Sequence, residues 1–302
     1  MTEGKRLDEP TNTETVGHEW DGIEELNTPL PRWWLYTFYA CIVFALGYTV
    51  FYPAWPGLHS ATPGILHWSS REDLNAEMKA QQVHNAPVLA AIAATPIEAL
   101  PDHPQLLKAA IEGGRAQFRI HCIQCHGTGA AGIQGLYPNL NDDDWLWGGD
   151  LKAIQYTLTN GIRNPDVPTT RTSQMPSFGR DGILKPEQID DVVSYVRAIS
   201  GQDAANASST RGAALFAANC VVCHGPAGKG NWLVGAPNLT DKIWLYGGSR
   251  EAITNSVTNA HAGVMPAWGK KLDPVTIKML AAYVHSLGGG EPNPPAVAPT
   301  PQ

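Results

Sequence analysis

Two Cys-x-x-Cys-His units, Cys122-Ile123-Gln124-Cys125-His126 and Cys220-Val221-Val222-Cys223-His224, take four of the five cysteines in this 302-residue chain. No other feature constrains its fold as tightly. The units stand 98 residues apart inside a repeat that extends well beyond them. Each copy opens Gly-x-x-x-Phe-x-x-x-Cys, as Gly114, Phe118 and Cys122 and again as Gly212, Phe216 and Cys220. Steps of four place these residues on one stripe of a helix whose last turn delivers the cysteines. Pro138-Asn139-Leu140 and Pro237-Asn238-Leu239 follow, then Trp145 to Gly149 and Trp244 to Gly248, then Thr159-Asn160 and Thr258-Asn259. The copies diverge only before a Met-Pro pair. Met175 stands 15 positions after Asn160, whereas Met265 stands six after Asn259. Each copy closes with a Leu-x-Pro-x-x-Ile helix start, with Pro186 and Pro274 in the first turn and Tyr195 and Tyr283 on the inner faces.

This pattern predicts a mostly α chain with two tandem domains over 105–200 and 201–290. Domains of about 90 residues are marginal on apolar burial alone, so a large apolar cofactor in each core makes physical sense. Residues 201–210 read as a polar joint. Residues 53–104 read as a spacer with one short helix capped at Ser70, and Glu72 and Asp73 in its first turn. From Gly288 onward the chain carries five prolines, and residues 291–302 are expected to be a disordered or polyproline-like tail.

From Trp33 to Tyr52 there is no charged residue. Twenty helical residues span about 30 Å, the thickness of a bilayer hydrocarbon core. Trp33, Trp34 and Tyr36 mark one end and Tyr48, Tyr52 and Trp55 the other, as an aromatic belt does. A cleaved signal peptide fits poorly, because 32 polar residues precede the run and no small-residue cleavage site follows it. Residues 33–52 are therefore expected to span a membrane, with Cys41 an apolar filler. Lys and Arg are too sparse near either end to set the orientation.

Cys-x-x-Cys-His is the signature of covalent haem attachment, with both thiols bonded to the porphyrin and the His bound to iron. A dithiol redox site belongs in a βαβ setting that this sequence lacks. A zinc site drawn from both units is disfavoured by their equivalence within the repeat. Cys122, Cys125, Cys220 and Cys223 are thus the expected attachment points of two haems c, with His126 and His224 as iron ligands. Only five methionines are present, and Met175 and Met265 share the equivalent Met-Pro position. They are the expected sixth ligands, each most simply serving its own repeat. Met279 has core spacing, and His261 lacks a counterpart in the first copy. His/Met ligation raises the reduction potential and closes the iron to exogenous ligands. No hydrolytic or phosphate-binding constellation accompanies it, and no catalytic residue is assigned. A dihaem peroxidase would need one copy without Met. Electron transfer is the expected activity, with rivals in a free-standing membrane-tethered shuttle and a periplasmic dehydrogenase subunit. Haem c is attached on the periplasmic face of bacterial inner membranes, which implies a single-pass protein with residues 1–32 cytoplasmic and 53–302 periplasmic.

The net charge is −7, and residues 1–32 hold eight acids against three bases. No basic patch for nucleic acid exists. Residues 102–200 come to −2 and 201–290 to +3, so the two halves are expected to attract different partners. Asp142-Asp143-Asp144 is the one acidic run there. It reads either as a solvated turn or as a docking point for a lysine-bearing donor cytochrome.

The stretch from His18 through Asp21-Gly22-Ile23, Asn27, Pro29, Pro31 and Trp33-Trp34, followed by the apolar run and Tyr52-Pro53-Ala54-Trp55-Pro56, resembles the N-terminus of the dihaem CcoP/FixP family, a subunit of cbb3-type cytochrome c oxidase. With the duplicated haem motifs, the resemblance covers essentially the whole chain. It implies two class I cytochrome c domains behind one membrane helix. It also implies a non-catalytic subunit passing electrons from a soluble or membrane donor cytochrome c to a catalytic haem–copper subunit, beside a monohaem cytochrome subunit. Trp20, Ile23 and Leu26 at steps of three predict an amphipathic turn that packs on such a partner.

Overall fold

The uncharged run forms one helix, α1 (Arg32–Phe51), none of whose residues is buried. The structure, a computed structural model, describes residues 4–293. The chain divides into two units, residues 1–84 and 85–302. In the first unit a three-stranded antiparallel sheet of β1 (Leu7–Asp8), β2 (Thr13–Trp20) and β3 (Ile23–Leu26) precedes α1. The expected amphipathic turn is instead a hairpin. Asp21 and Gly22 both take positive φ (50° and 84°), the conformation that a two-residue Asp-Gly hairpin turn requires, so Trp20 pairs with Ile23 across it. The short helix expected at Ser70 is also longer than predicted. As α2 it runs from Ser70 to Ala94, because an Ala-rich stretch of good helix formers continues past the first turn and Pro87 does not end it.

The second unit holds α3 (Pro104–His121), α4 (Ile123–His126), α5 (Leu151–Asn160), α6 (Pro186–Ile199), α7 (Ala207–Asn219), α8 (Val221–His224), α9 (Arg250–Asn259) and α10 (Pro274–His285). The sequence marks their starts. Pro104, Pro186 and Pro274 stand in first turns. Asp150, Asn206, Ser249 and Asp273 accept hydrogen bonds from the N–H groups that open α5, α7, α9 and α10.

Packing then departs from the sequence order. The closing helix of the second repeat, α10, packs on α3 and α5 of the first, whereas α6 of the first repeat packs on α7 and α9 of the second. Two apolar cores result. One joins Phe118, Cys122, Leu151, Ile154 and Leu158 to Ile277, Met279, Leu280 and Val284. The other joins Phe178, Ile189, Val192 and Val196 to Phe216, Cys220, Ile253 and Val257. The repeats follow one another in tandem, but they exchange their C-terminal helices, as segments with the same buried pattern can when either partner covers the same apolar face.

The start of the expected tail is ordered. Glu291 donates its N–H to the carbonyl of Gly149 and accepts from the Gly149 N–H, and Asn293 accepts from the Leu151 N–H. These contacts satisfy backbone groups at the start of α5, which a disordered tail would leave to water. The remaining tail residues, 294–302, lie outside the described residues. The joint at 201–210 is pinned as well, since Asp203 receives both Arg197 (2.6 and 2.7 Å) and Arg250 (3.3 Å).

Candidate functional site

Each Cys-x-x-Cys-His begins where a long helix ends. Cys122 caps α3 with its N–H on the Phe118 carbonyl, and Cys220 caps α7 with its N–H on the Phe216 carbonyl. The chain then resumes in a four-residue helix that carries the second Cys and the His. Gly127 and Gly225 follow at φ 76° and 73°, where a residue with a Cβ is disfavoured. Cys122 and Cys220 are buried, and Cys125 and Cys223 half-buried.

The Pro-Asn-Leu elements, to which the sequence gives no role, orient the histidines. His126 Nδ1 lies 3.2 Å from the Pro138 carbonyl and His224 Nδ1 lies 3.1 Å from the Pro237 carbonyl. A carbonyl only accepts, so each Nδ1 bears the proton and each Nε2 keeps its lone pair, the tautomer of a metal-bound imidazole. Burial pushes both imidazoles toward their neutral form. The Phe of each stripe backs the site, with Phe118 against Tyr283 (5.3 Å between ring centres) and Phe216 against Tyr195 (5.1 Å). Both tyrosines come from the exchanged helices.

The methionines follow the same exchange. Met265 packs on the core that contains Cys122, and Met175 on the core that contains Cys220. Paired backbone bonds fix each segment. The N–H groups of Trp268 and Gly269 bond the carbonyls of Leu158 and Thr159, while those of Phe178 and Gly179 bond Val257 and Thr258. Ligation within each repeat is the simpler expectation, but the segment after each Met-Pro pairs with the α5 or α9 helix of the other copy, which places the Met beside the other copy's Cys-x-x-Cys-His. Met279 is buried in α10, in the packing role its spacing suggested. His261 is engaged elsewhere, stacked on Tyr246 at 3.7 Å with Nε2 3.1 Å from Ser256 Oγ.

Each core therefore offers two thiols at attachment spacing, an imidazole with a free Nε2, and one thioether held by a rigid Met-Pro segment. That donor set fits a covalent haem with His/Met ligation. Sequence reasoning missed the groups beside it. Arg163 and Arg171 lie in the longer segment of the first repeat, and burial pulls both guanidinium groups toward deprotonation. Arg171 sits over the rings of Trp147 (5.1 Å) and Tyr156 (4.9 Å). The unequal lengths before the Met-Pro pairs were the signal that could have found them.

The acidic run is only partly a surface feature. Asp143 is exposed, but Asp142 and Asp144 turn inward. Burial, together with Asp241, Asp142 and Asp143, pushes the Asp144 carboxyl up to about 7.

Comparison with known proteins adds independent support. Residues 12–59 match the N-terminal domain of cytochrome oxidase-cbb3, FixP. Residues 109–196 and 207–284 each match cytochrome c oxidase, cbb3-type, subunit III. The chain is 52% identical to the cbb3-type cytochrome c oxidase subunit CcoP of Cereibacter sphaeroides, over 93% of this chain and 97% of the relative. It is 48% identical to the FixP subunit of Bradyrhizobium diazoefficiens, over 96% and 100%. It is 45% identical to the CcoP subunit of Azospirillum brasilense, over 95% and 99%.

Proposed function

Because the chain belongs to the CcoP/FixP family, the subunit III family of cbb3-type cytochrome c oxidases, we propose that it is the membrane-anchored dihaem subunit that relays electrons from donor cytochromes to the haem–copper subunit. The observation that carries this reading is the pair of equivalent cores, each with its own Cys-x-x-Cys-His and one Met-Pro segment from the other repeat.

Cys122 and Cys125 would hold one haem c, with His126 and Met265 on its iron. Cys220 and Cys223 would hold the other, with His224 and Met175. Such a haem supplies a reversible one-electron iron couple. The protein's part would be to supply one His and one Met to each iron, exclude water and set the potential through these ligands and their surroundings. The carbonyls of Pro138 and Pro237 keep each imidazole in one tautomer, and the apolar cores keep the ligands in place. Helix α1 anchors the subunit in the inner membrane, with the N-terminal sheet on the cytoplasmic side and both cores in the periplasm. The other oxidase subunits are its partners in the bilayer.

Spectra of single-haem variants test the assignment. With Cys220 and Cys223 replaced by Ala, only the first haem remains, and Met265→Leu should then remove the red-end band of methionine-bound ferric haem while Met175→Leu leaves it. Loss of the band in Met175→Leu instead would return the ligands to their own repeats. Copurification of the detergent-extracted chain with a haem–copper subunit separates an oxidase subunit from a free-standing shuttle.

A further inference from the structure

Arg163 touches both methionine segments at once. Its Nε donates to the carbonyl of Gly263 at 2.7 Å, and a terminal nitrogen donates to the carbonyl of Ser173 at 2.8 Å. Gly263 stands two residues before Met265 and Ser173 two residues before Met175. The two acceptors are thus equivalent points of the repeat, reached by one side chain.

The surrounding backbone holds that side chain in place. Ile162 exchanges both of its backbone hydrogen bonds with Met265, at 3.0 Å each. The Arg163 N–H donates to the Arg171 carbonyl at 2.7 Å. Arg163 itself adopts φ 49°, a left-handed conformation that costs an ordinary residue energy and persists only where the surroundings over-determine it. Among the described residues no carboxylate forms an ion pair with it; the titratable group facing it is the Tyr246 hydroxyl. No counterpart exists in the second repeat, where the corresponding residue is Ala262. The bracket depends on the longer segment of the first copy.

We propose that Arg163 is a positioning residue for both methionines, one planar guanidinium fixing the two segments that deliver the sixth ligands and thereby coupling the two haem sites. This rests on the dihaem reading above. A guanidinium suits the task because its donors point in fixed directions in one plane, whereas an ammonium is a single point on a flexible stem. Its charge has a second effect. A partly desolvated cation beside both sites disfavours the more positive ferric state and so raises both potentials.

The test uses the full chain purified with its haems, read by the red-end methionine bands, by ligation of added imidazole to ferric iron, and by potentiometric titration. Arg163→Gln should weaken both bands together, admit imidazole at both irons and lower both midpoint potentials. Arg163→Lys, which keeps the charge and loses the fork, should leave both bands weak while restoring part of the potentials. Should Arg163→Gln fail to incorporate haem, the lysine variant alone decides. A change at only one haem, or full-strength bands in the lysine variant, overturns the proposal. Met175→Leu and Met265→Leu run alongside. If neither removes a band, the methionine assignment itself has failed, whereas loss of one band in each with Arg163→Gln silent rejects only the role of the arginine.

Discussion

Gly114 of α3 lies so close under the main-chain carbonyl of Met279 in α10 that an added Cβ would overlap it, and Gly212 of α7 bears the same relation to Asp191 of α6. The glycine that opens each repeat is therefore the crossing point of two helices from different repeats. Gly114→Ala should force α10 away from α3, and Gly212→Ala should do the same to α6 and α7. Overpacking of this kind costs about 1–3 kcal/mol. Thermal unfolding of each variant is expected to show a clear loss of stability. An unchanged melting temperature in both would mean that the helices do not cross as described.

The Asp144 carboxyl gives the protein a pH-dependent weakness. Its ordinary value is 3.8 and burial beside Asp241, Asp142 and Asp143 pushes it up to about 7. The folded chain therefore binds this proton more tightly than the unfolded chain does. Stability from this group is fully present below about pH 4 and is lost as pH rises toward 7. Asp144→Asn should flatten that part of the stability–pH curve, measured by denaturant unfolding at several pH values. A curve parallel to that of the unmodified protein would contradict this.

Donor docking should depend on one aspartate more than on its neighbours. Asp143 alone of the run is exposed, and Asp144 is partly protonated at neutral pH. Asp143→Asn is expected to slow electron uptake from a basic donor at low ionic strength. The effect should fade as the Debye length shortens from about 30 Å to about 8 Å at physiological salt. Stopped-flow rates that match the unmodified protein at low salt would move docking to the more basic second half.

The hairpin presents an apolar pair to solvent. Trp20 is 66% exposed and Ile23 70% exposed, on opposite sides of the Asp21-Gly22 turn. A subunit partner would bury such a pair. Replacing both by Ala should weaken assembly with the oxidase while leaving both haems attached, as judged by size-exclusion elution and haem staining. Normal assembly would make the hairpin a solvated ornament of the tail.

What the sequence by itself determined was chemistry and period. The Cys-x-x-Cys-His units, the Met-Pro pairs, the proline helix starts and the uncharged run at 33–52 each follow from local rules of spacing, and α1 and the helix starts lie where those rules put them. Local rules fail where two answers are locally equal. Because both repeats bury the same stripe, nothing along the chain distinguishes α3 packing on α6 from α3 packing on α10. Only the tertiary structure decided that Met265 joins the core of Cys122 and Met175 that of Cys220. The hairpin was misread for a related reason, since Trp20 and Ile23 stand three apart both on a helical face and across a two-residue turn, and only strand pairing separates the two. The unequal segment lengths pointed to the region of Arg163, but its role exists only once two segments 90 residues apart, around Ser173 and Gly263, are brought to one guanidinium.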